Sequence, residues 1–424
     1  MNAAILTAGC RLNQSESDAL RGLLTVRGVR MVSNPAQADV CFVNTCSVTA
    51  AADRSSVQLV RQACRTMPRP RVVVLGCLAE RTPEVLRAIS GVSEIWNNAR
   101  KQERLSGVCP VPTRSRALLK VQDGCDRDCC FCVVPLLRGR PVSIPADKVA
   151  KQFEQLVSTD GGFGEVVLTG LNLGLYRDEA GIDLAGLLEM LLERSRGVSR
   201  EVRIRIGSIE PDTVTERLID VLAARQVAPH FHLALQSGDD RVLSLMKRRY
   251  DTAGFVGLVA AIRRSKPDAN IGFDIIAGLP GEDERSFERT SAFVRELVPG
   301  YLHVFSFSPR PGTPAAGMDA VPPRPERKRR VRALMELSAN CRREYQKSFV
   351  GVVRSAVVES AGTALTDNYL RLALEADYAA VPRSIVRLLI VDEQGRLMGR
   401  FRQTAEYDVA GSPSRLRPST KEAV

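Results

Sequence analysis

A short loop with three regularly spaced cysteines is the feature that most constrains this chain. Cys125, Cys129 and Cys132 form a CxxxCxxC segment that directly follows an apolar run at 118–122. Three thiolates in one loop can hold three irons of a cubane cluster and leave the fourth iron open, whereas electron-carrying clusters are normally closed by four cysteines. Zinc is the alternative, but its fourth ligand is usually a His or Cys at similarly short spacing, and none follows here. The loop therefore predicts an iron–sulfur site with chemistry at an open iron.

The composition predicts several folded domains and an anionic partner. The 424 residues are 44% hydrophobic and 25% charged, which does not fit a disordered chain. With 60 Lys and Arg against 48 Asp and Glu, the net charge is +12, and this favours a polyanion such as RNA. Because no apolar run has the length of a membrane span and no signal sequence is recognisable, we expect a cytoplasmic protein that does not enter a membrane. In a reducing compartment, the 11 cysteines indicate metal or redox chemistry rather than disulfides.

The first hundred residues alternate between short apolar runs and helical patterns, and three of the runs lead into a cysteine. The runs are 3–8, 40–44 and 72–75, and the cysteines are Cys10, Cys46 and Cys77. The carboxyl ends of strands in an open parallel α/β sheet border one crevice, so the three thiolates are predicted to converge. Helices are predicted at 14–27, 50–67 and 82–89, the last with Thr82 as its N-cap and Pro83 in its first turn.

The remainder of the chain predicts a barrel followed by a smaller β-domain. Strands are predicted at 118–122, 165–169, 202–206, 231–235, 271–276 and 302–307, with helical segments between them. Six such units indicate a partial parallel barrel whose functional loops follow its strands. After a basic helix at 324–349, short strands at 352–359, 369–374, 385–390 and 397–401 predict a small antiparallel β-barrel, a common nucleic-acid-binding shape. The predicted class is α/β, with an open parallel α/β domain at 1–107, a partial (β/α)6 barrel at 111–342 and the β-barrel at 343–408.

The motifs resemble those of one enzyme family. The CxxxCxxC loop, with Phe131 before its last cysteine, resembles the cluster loop of radical S-adenosylmethionine (SAM) enzymes, and the segments VVP at 133–135 and RGR at 138–140 are similar to those of methylthiotransferases. The segments GCRLN at 9–13, NTCSV at 44–48 and GC at 76–77 resemble the three cysteine motifs of the methylthiotransferase N-terminal domain. With a TRAM-like C-terminal segment, the resemblance covers nearly the whole chain.

This resemblance implies two 4Fe-4S clusters and SAM as cofactors. The cluster on the CxxxCxxC loop would chelate SAM at its open iron, and one electron would cleave SAM to give a deoxyadenosyl radical that removes hydrogen from the target carbon. The auxiliary cluster would carry the sulfur that is inserted. The implied metal ligands are Cys10, Cys46, Cys77, Cys125, Cys129 and Cys132. The implied SAM contacts are Phe131, Thr169, Gly170, Asn172, Ser208, Glu210, Gln236 and Asp274.

The implied substrate is N6-threonylcarbamoyladenosine at position 37 of tRNA. The segments that resemble this branch are 9–16, 168–170, 208–211, 235–238 and 308–314. Arg11 and Gly207 depart from the Lys and Ser usual there, and Cys130 is an additional thiol. The implied partners are the tRNA anticodon stem-loop and an electron donor such as a flavodoxin or ferredoxin. Alternatives are isopentenyladenosine in tRNA, a ribosomal-protein aspartate, or a non-enzymatic iron–sulfur protein that binds RNA or transfers electrons.

Three further groups of residues have expected roles: basic segments, histidines, and the cysteines outside the motifs. The basic segments at 138–140, 247–249 and 324–332 are candidates for RNA phosphate contacts. His230, His232 and His303 are expected to satisfy polar groups near the barrel core. The cysteines outside the motifs are expected to be small buried apolar residues, namely Cys41, Cys64, Cys109 and Cys341.

Overall fold

The computed structural model describes residues 1–158, 162–360, 362–375 and 381–401. Its architecture is α/β, with two largely parallel units followed by a small closed β-barrel, as the sequence predicts. The part of the predicted third domain at 402–408 lies outside the described residues. Within the described chain, no helix is both long and apolar enough to cross a membrane.

The first unit is an open sheet of five parallel strands in the order β2-β1-β3-β4-β5. Its strands are β1 (Asn2–Thr7), β2 (Arg30–Met31), β3 (Val40–Thr45), β4 (Arg71–Gly76) and β5 (Val92–Ile95). Its helices are α1 (Arg11–Val26), α2 (Ala50–Arg65), α3 (Cys77–Arg81), α4 (Pro83–Arg87) and α5 (Asn98–Leu105). The predicted helix at 82–89 is only the short α4, and the Thr82 side chain makes no capping hydrogen bond. Because β1, β3 and β4 are neighbours, their three carboxyl ends lie side by side.

The segment 107–112, which connects the first two units, packs against α1. The Val111 N–H donates to the Asp18 carbonyl over 3.0 Å. A Cβ at Gly22, in the middle of α1, would lie 2.2 Å from the Cys109 carbonyl oxygen. Only glycine therefore lets the linker backbone approach this helix so closely.

The second unit is a partial parallel barrel with six strand positions. The barrel strands are β6 (Ala117–Lys120), β9 (Glu165–Thr169), β10 (Arg203–Ile206), β11 (Ser208–Ile209), β12 (His230–Gln236), β13 (Asn270–Ala277) and β14 (Tyr301–Ser306), with β10 and β11 sharing one position. The short strands β7 (Gln122–Asp123) and β8 (Val142–Ser143) form a separate antiparallel pair. The hydrogen-bonded sheet of the barrel is interrupted at one of its six positions, between β10 and β11. The sheets β10-β9-β6 and β11-β12-β13-β14 meet at Gly207, where a Cβ would lie 2.9 Å from the Leu168 carbonyl oxygen. The barrel is open between β6 and β14.

Helices cover the outside of this barrel. They are α7 (Ala146–Ser158), α8 (Leu184–Arg196), α9 (Glu216–Leu222), α10 (Asp240–Leu245), α11 (Thr252–Ser265), α12 (Glu284–Leu297) and α13 (Arg324–Lys347), whereas the short α6 (Val134–Arg138) lies at the junction with the first unit. Alternate strand residues, among them Leu168, Ile204 and Phe273, join the apolar cluster beneath the helices. The residues between them point into the barrel, because successive side chains of a strand face opposite sides.

The third unit is a closed barrel in the order β15-β16-β17-β19-β18. Its strands are β15 (Val353–Ser360), β16 (Thr363–Thr366), β17 (Arg371–Leu374), β18 (Ile385–Glu393) and β19 (Arg396–Phe401). Four strand pairings are antiparallel, whereas β17 and β19 pair in parallel. Strand β16 was not predicted, and α13 continues past the predicted boundary at 342 to Lys347.

A buried ion-pair cluster joins the second and third units. The Glu165 carboxylate accepts hydrogen bonds from Arg203 Nε and Arg205 Nε, each over 2.7 Å. The two guanidinium groups also donate to the carbonyls of Leu365 and Thr366 on β16. Burial alone would raise the pKa of Glu165. The positive charges of Arg205 and Arg203 have a larger, opposite effect and hold this pKa well below its usual range. The charges are therefore paired where the two units meet.

We expect Glu165→Gln to destabilise the protein strongly. The substitution leaves Arg203 and Arg205 buried without their anion, and removing one partner of such a pair costs roughly 3–5 kcal/mol. Urea unfolding of the purified chain measures the loss. The control is Glu193→Gln, whose carboxylate pairs with Arg196 on the exposed surface and should change stability by less than about 0.5 kcal/mol. Equal effects of the two substitutions would contradict the assigned role.

Candidate active site between the first two units

The CxxxCxxC loop is folded tightly at the end of the first barrel strands. The Cys132 N–H donates to the Cys129 carbonyl over 3.1 Å, and the Cys125 N–H donates to the Gly139 carbonyl over 3.0 Å. Gly124 has a φ of 73°, and a Cβ there would lie 2.0 Å from the Arg140 carbonyl oxygen. Glycine is therefore required where the loop passes segment 139–140.

Cys130 points away from its cysteine neighbours. It is 2% exposed, packs in an apolar cluster with Val242, Met246 and Phe307, and its N–H donates to the Met246 carbonyl. Burial raises the pKa of Cys130 to about 11. The additional thiol is therefore a core residue, and three thiols of this loop remain for a cluster.

Arg248 contacts the cysteine loop from the barrel wall. Its NH1 donates to Cys129 Sγ over 3.1 Å, and its NH2 pairs with the Glu210 carboxylate. Its side chain is only 4% exposed, so the expectation that Arg248 contacts tRNA phosphates was wrong. A basic side chain in a polar segment is normally predicted to lie on the surface. The two partners of Arg248 lie 38 and 119 positions away in the chain, and no sequence pattern indicated them. Hydrogen bonds to cluster sulfurs tune a cluster's potential.

Asn172 has the geometry of a cofactor contact. Its Nδ2 lies 4.0 Å from Cys125 Sγ, while its Oδ1 is buried without a hydrogen-bond partner among the described residues. Gln122, which the sequence did not single out, fixes this segment, because its Oε1 accepts from the N–H groups of Leu171 and Asn172 over 3.0 Å each. A buried unpaired amide oxygen beside three cysteines fits a ligand with an amino group, and SAM carries one.

The other predicted SAM contacts occupy different depths of the barrel. Thr169, Ser208 and Gln236 lie at or near the carboxyl ends of β9, β11 and β12, on the side of the cysteine loop. A Cβ at Gly170 would lie 2.9 Å from Gln122 Oε1. Phe131 is partly buried against the apolar cluster that contains Cys130. Asp274 lies deeper, where its carboxylate contacts His232 and His303, and all these assignments stay predictions.

The second cysteine trio lies at adjacent strand ends of the first sheet. Cys10 precedes α1 shortly after β1, Cys46 follows β3, and Cys77 begins α3 directly after β4. A Cβ at Gly9 would lie 2.5 Å from Cys46 Cβ, so glycine is needed where the Cys10 and Cys46 loops meet. Burial raises the pKa of Cys46 to about 11. The structure brings the three cysteines to one crevice, where soft thiolate ligands suit an iron–sulfur cluster.

The two trios face the same junction. Val133, which directly follows Cys132, packs with Leu137 against Cys77. Arg138, at the end of α6, donates from Nε to Cys77 Sγ over 3.3 Å. One short helix therefore connects the cysteine loop of the barrel with a cysteine of the first unit.

Arg138 also holds the junction together through a buried network. Its guanidinium pairs with the Glu16 carboxylate and donates to Asn13 Oδ1 over 2.8 Å. Asn13 Nδ2 in turn donates to the carbonyls of Ala8 and Thr45, beside Cys10 and Cys46. Burial would raise the pKa of Glu16, but Arg138 above all lowers it well below its usual value. Arg138 is thus a buried structural cation, and the expectation that it contacts tRNA was wrong.

The SPRPGTP segment at 308–314 forms hydrogen bonds with the residues that follow Cys46 of the second trio. Arg310 NH2 donates to the Ser47 carbonyl over 3.0 Å and to Asp53 Oδ2 over 2.7 Å. Ser308 Oγ accepts from the Ala50 N–H over 3.2 Å. The resemblance pointed to this segment but gave it no role. Its arginine fixes the residues that follow Cys46.

Comparisons with known proteins define the class. A model described as uncharacterized protein family UPF0004 matches residues 2–97, and the radical SAM superfamily model matches residues 119–294. Among solved structures, the radical SAM methyltransferase TsrM from Kitasatospora setae superimposes with a TM-score of 0.57 at 15% identity, covering 74% of this chain and 75% of that one. The barrel is therefore a radical SAM fold, a class that uses SAM and a 4Fe-4S cluster.

Relatives along nearly the full chain identify the family. The threonylcarbamoyladenosine tRNA methylthiotransferase MtaB of Aquifex aeolicus is 34% identical, covering 92% of this chain and 100% of its own length. The MtaB of Bacillus subtilis is 33% identical, with 88% and 90% covered. The tRNA-2-methylthio-N(6)-dimethylallyladenosine synthase of Endomicrobium trichonymphae is 31% identical, with 85% and 89% covered. The chain belongs to the radical SAM tRNA methylthiotransferase family.

Proposed function

We propose that this chain adds a methylthio group to carbon 2 of N6-threonylcarbamoyladenosine at position 37 of tRNA. The proposal rests on the position of the two cysteine trios at one junction. Val133, next to Cys132 of one trio, packs against Cys77 of the other, and Arg138 donates a hydrogen bond to the Cys77 sulfur. A radical generator alone needs one trio, whereas a second trio beside it supplies a place for the sulfur. An iron–sulfur protein that only transfers electrons would have no use for two open clusters.

We assign the SAM-binding cluster to Cys125, Cys129 and Cys132. When bound, this cluster and SAM supply the one-electron cleavage of SAM that activates an unreactive carbon. The chain's own residues do the positioning. Asn172 Oδ1 would accept a hydrogen bond from the amino group of SAM, and Arg248 donates to the Cys129 sulfur and pairs with Glu210. Further contacts are assigned to Phe131 in the cysteine loop and to Thr169, Gly170, Ser208 and Gln236 at or near strand ends.

We assign a second 4Fe-4S cluster to Cys10, Cys46 and Cys77. Asn13 and Arg310 hold the loops that carry Cys10 and Cys46, and Arg138 donates to Cys77 Sγ. Three protein ligands would leave one iron of such a cluster open, and that iron would hold the sulfur. The electron for each turnover comes from a small donor such as a flavodoxin or ferredoxin, and the reaction takes place in the cytoplasm, where tRNA is modified.

The substrate RNA approaches the open edge of the barrel. Lys328 and Arg332 lie on the exposed face of α13 and line a surface depression with Ser306, at the end of edge strand β14. The rest of its lining is Val331, Met335, Glu336 and Ala339. Neither basic residue of the lining has an ion-pair partner among the described residues, whereas Arg329 and Arg330 on the same helix pair with Glu284 and Glu326. Unpaired cations beside an opening suit phosphate groups of an anticodon stem-loop.

We expect the double variant Lys328→Glu/Arg332→Glu to bind tRNA roughly tenfold more weakly at about 0.1 M salt. The slope of log Kd against log salt concentration should fall by about 2, because two phosphate contacts are lost. Fluorescence anisotropy with a labelled stem-loop measures both quantities. Arg27→Glu/Arg30→Glu, a reversal of two exposed charges on the first unit, is the control and should leave the slope unchanged. An equal loss in both double variants would show a nonspecific charge effect.

The function is tested in cells by mass analysis of tRNA nucleosides. A strain that lacks this gene should lose 2-methylthio-N6-threonylcarbamoyladenosine and accumulate its unmethylthiolated precursor, and the gene on a plasmid should restore it. If the deletion strain instead lacks the methylthio group on dimethylallyladenosine, the substrate is dimethylallyladenosine in tRNA, as the name of the Endomicrobium trichonymphae relative indicates for that protein. Unchanged tRNA in the deletion strain would overturn the proposal.

A further inference from the structure

The interior of the barrel is an open polar lumen. Leu302 and Val304 of β14 pack outward against the main apolar cluster, so Tyr301, His303 and Phe305 face inward. Tyr301 is 5% exposed, but the His303 side chain is 52% exposed and Phe305 is 46% exposed. Water thus reaches β14 from the inside near its carboxyl end, and the lumen closes at the level of Tyr301.

A chain of polar rings lines the lower wall of the lumen. Tyr301 Oη lies 2.9 Å from His230 Nε2 and 3.0 Å from His232 Nδ1. Asp274 Oδ1 lies 2.8 Å from His232 Nε2 and 3.5 Å from His303 Nδ1. Burial would raise the pKa of Asp274, but the two neighbouring imidazoles lower it to about 2. Asp274 therefore lies between His232 and His303, and the His303 side chain is half exposed to the lumen.

The floor of the lumen is Tyr369, which comes from the third unit. Its ring stacks on His230 with a centroid separation of 4.0 Å, and Arg205 lies over it with Cζ 5.1 Å from the ring centroid. Its φ of 70° is unusual for a bulky residue. Strained backbone of this kind persists where the surroundings hold it, often at a ligand site.

Arg11 brings a cation into this lumen from the first unit. It directly follows the cluster ligand Cys10, and its NH2 donates to Tyr369 Oη over 2.8 Å. Arg116 and Arg205, the other two arginines near Tyr369, both pair with Glu165. Arg11 has no carboxylate within ion-pair distance in the described part of the chain. It is thus a positive charge without a counter-ion, held by a phenol beside the auxiliary cluster site.

We propose that this lumen is the subsite for the carboxylate-bearing arm of the substrate nucleoside, with Arg11 as the residue that binds the carboxylate and determines specificity. The inference rests on the proposed function. The threonylcarbamoyl arm is attached to N6, the exocyclic amine on the six-membered ring of adenine that also contains carbon 2. When the arm enters the lumen, this ring stays at the lumen's mouth, and carbon 2 lies near the cysteine trios. The arm's hydroxyl meets His303, which lies beside Asp274.

The lining also distinguishes this arm from the alternative within the family. A dimethylallyl group is apolar and has no hydrogen-bonding atoms. Seating it among Arg11, His303 and Asp274 would remove water from these groups without replacing the lost hydrogen bonds, which is unfavourable. A carboxylate and a hydroxyl instead satisfy them, and a guanidinium pairs well with a carboxylate.

The test compares two synthetic anticodon stem-loops with the reconstituted holoenzyme. One carries threonylcarbamoyladenosine, and the other carries its threoninol analogue, in which an alcohol replaces the carboxylate. We expect the natural protein to prefer the carboxylate substrate in kcat/KM by roughly tenfold to a hundredfold. Arg11→Met should lose that factor on the carboxylate substrate and change little on the analogue, and Arg11→Lys should retain most of the preference. Stem-loop Kd values from anisotropy should change in parallel.

Because Arg11 adjoins Cys10, iron content and SAM cleavage are measured for every variant. Tyr369→Phe, which lies in another unit, removes the hydroxyl that orients Arg11 and should reduce the preference several-fold with the clusters intact. Equal losses on both stem-loops in Arg11→Met and an unchanged preference in Tyr369→Phe would overturn the inference. If the natural protein methylthiolates neither stem-loop, the proposed function itself fails. If it methylthiolates both equally, only the inference fails.

Discussion

Cys129→Ala should abolish reductive cleavage of SAM, the largest effect expected of any single substitution here. Cys129 Sγ is one of the three thiols of the loop and receives a hydrogen bond from Arg248. A site with two thiolates does not retain a cubane under turnover, so the reconstituted protein should hold about four irons instead of about eight. Deoxyadenosine formation, measured by chromatography after reduction with dithionite, should fall to the level without protein.

The adjacent residue provides a matched control. Cys130→Ala removes a thiol one position away, but this thiol is buried among Val242, Met246 and Phe307. We expect a small loss of stability, about 1 kcal/mol, with iron content and SAM cleavage retained. Should Cys129→Ala still cleave SAM while Cys130→Ala does not, the ligand assignment within the loop is wrong.

Cys46→Ala should separate SAM cleavage from methylthio transfer. Cys46 lies at the end of β3 and contacts the Gly9 turn beside Cys10. Its loss removes one of three ligands of the auxiliary cluster, but it leaves the CxxxCxxC loop intact. We expect about half of the iron to be lost, SAM cleavage within a few-fold of the natural protein, and no methylthiolated nucleoside by mass spectrometry.

Cys41→Ala is the control, because Cys41 lies on β3, the strand that Cys46 follows. Cys41 is fully buried in the apolar cluster of the first unit, with Val43 and Val72, and takes no part in the trio. Its substitution should cost about 1 kcal/mol of stability and leave methylthio transfer intact. Methylthiolated product from Cys46→Ala would contradict a sulfur-carrying cluster at Cys10, Cys46 and Cys77.

The parts of the site that depend on strand order could be predicted from the sequence. Apolar runs ahead of Cys10, Cys46 and Cys77 predict neighbouring parallel strands, and the structure places them as β1, β3 and β4. Such strands end at one crevice whatever the details of packing. The six barrel strands follow from the same alternation of strand and helix signals, and their predicted ends differ from the observed ones by only a few residues.

The long-range charge pairs could not be predicted in this way. Arg138 and Arg248 have the sequence context of phosphate-binding residues, yet both are buried beside cysteine sulfurs. Their burial depends on Glu16 and Glu210, and no local pattern encodes a pairing between residues so far apart in the chain. Tyr369 is a similar case, because its inward position depends on a left-handed backbone conformation in a short turn.

The most direct measurement of the central claim is a reaction of the reconstituted protein under anaerobic conditions with SAM, a reductant and three anticodon stem-loops. These carry adenosine, dimethylallyladenosine or threonylcarbamoyladenosine at position 37, and the nucleosides are analysed by mass spectrometry after digestion. We predict a methylthio group on threonylcarbamoyladenosine alone, with deoxyadenosine formed alongside it. Methylthiolation of dimethylallyladenosine, or SAM cleavage without methylthio transfer to any stem-loop, would contradict the account.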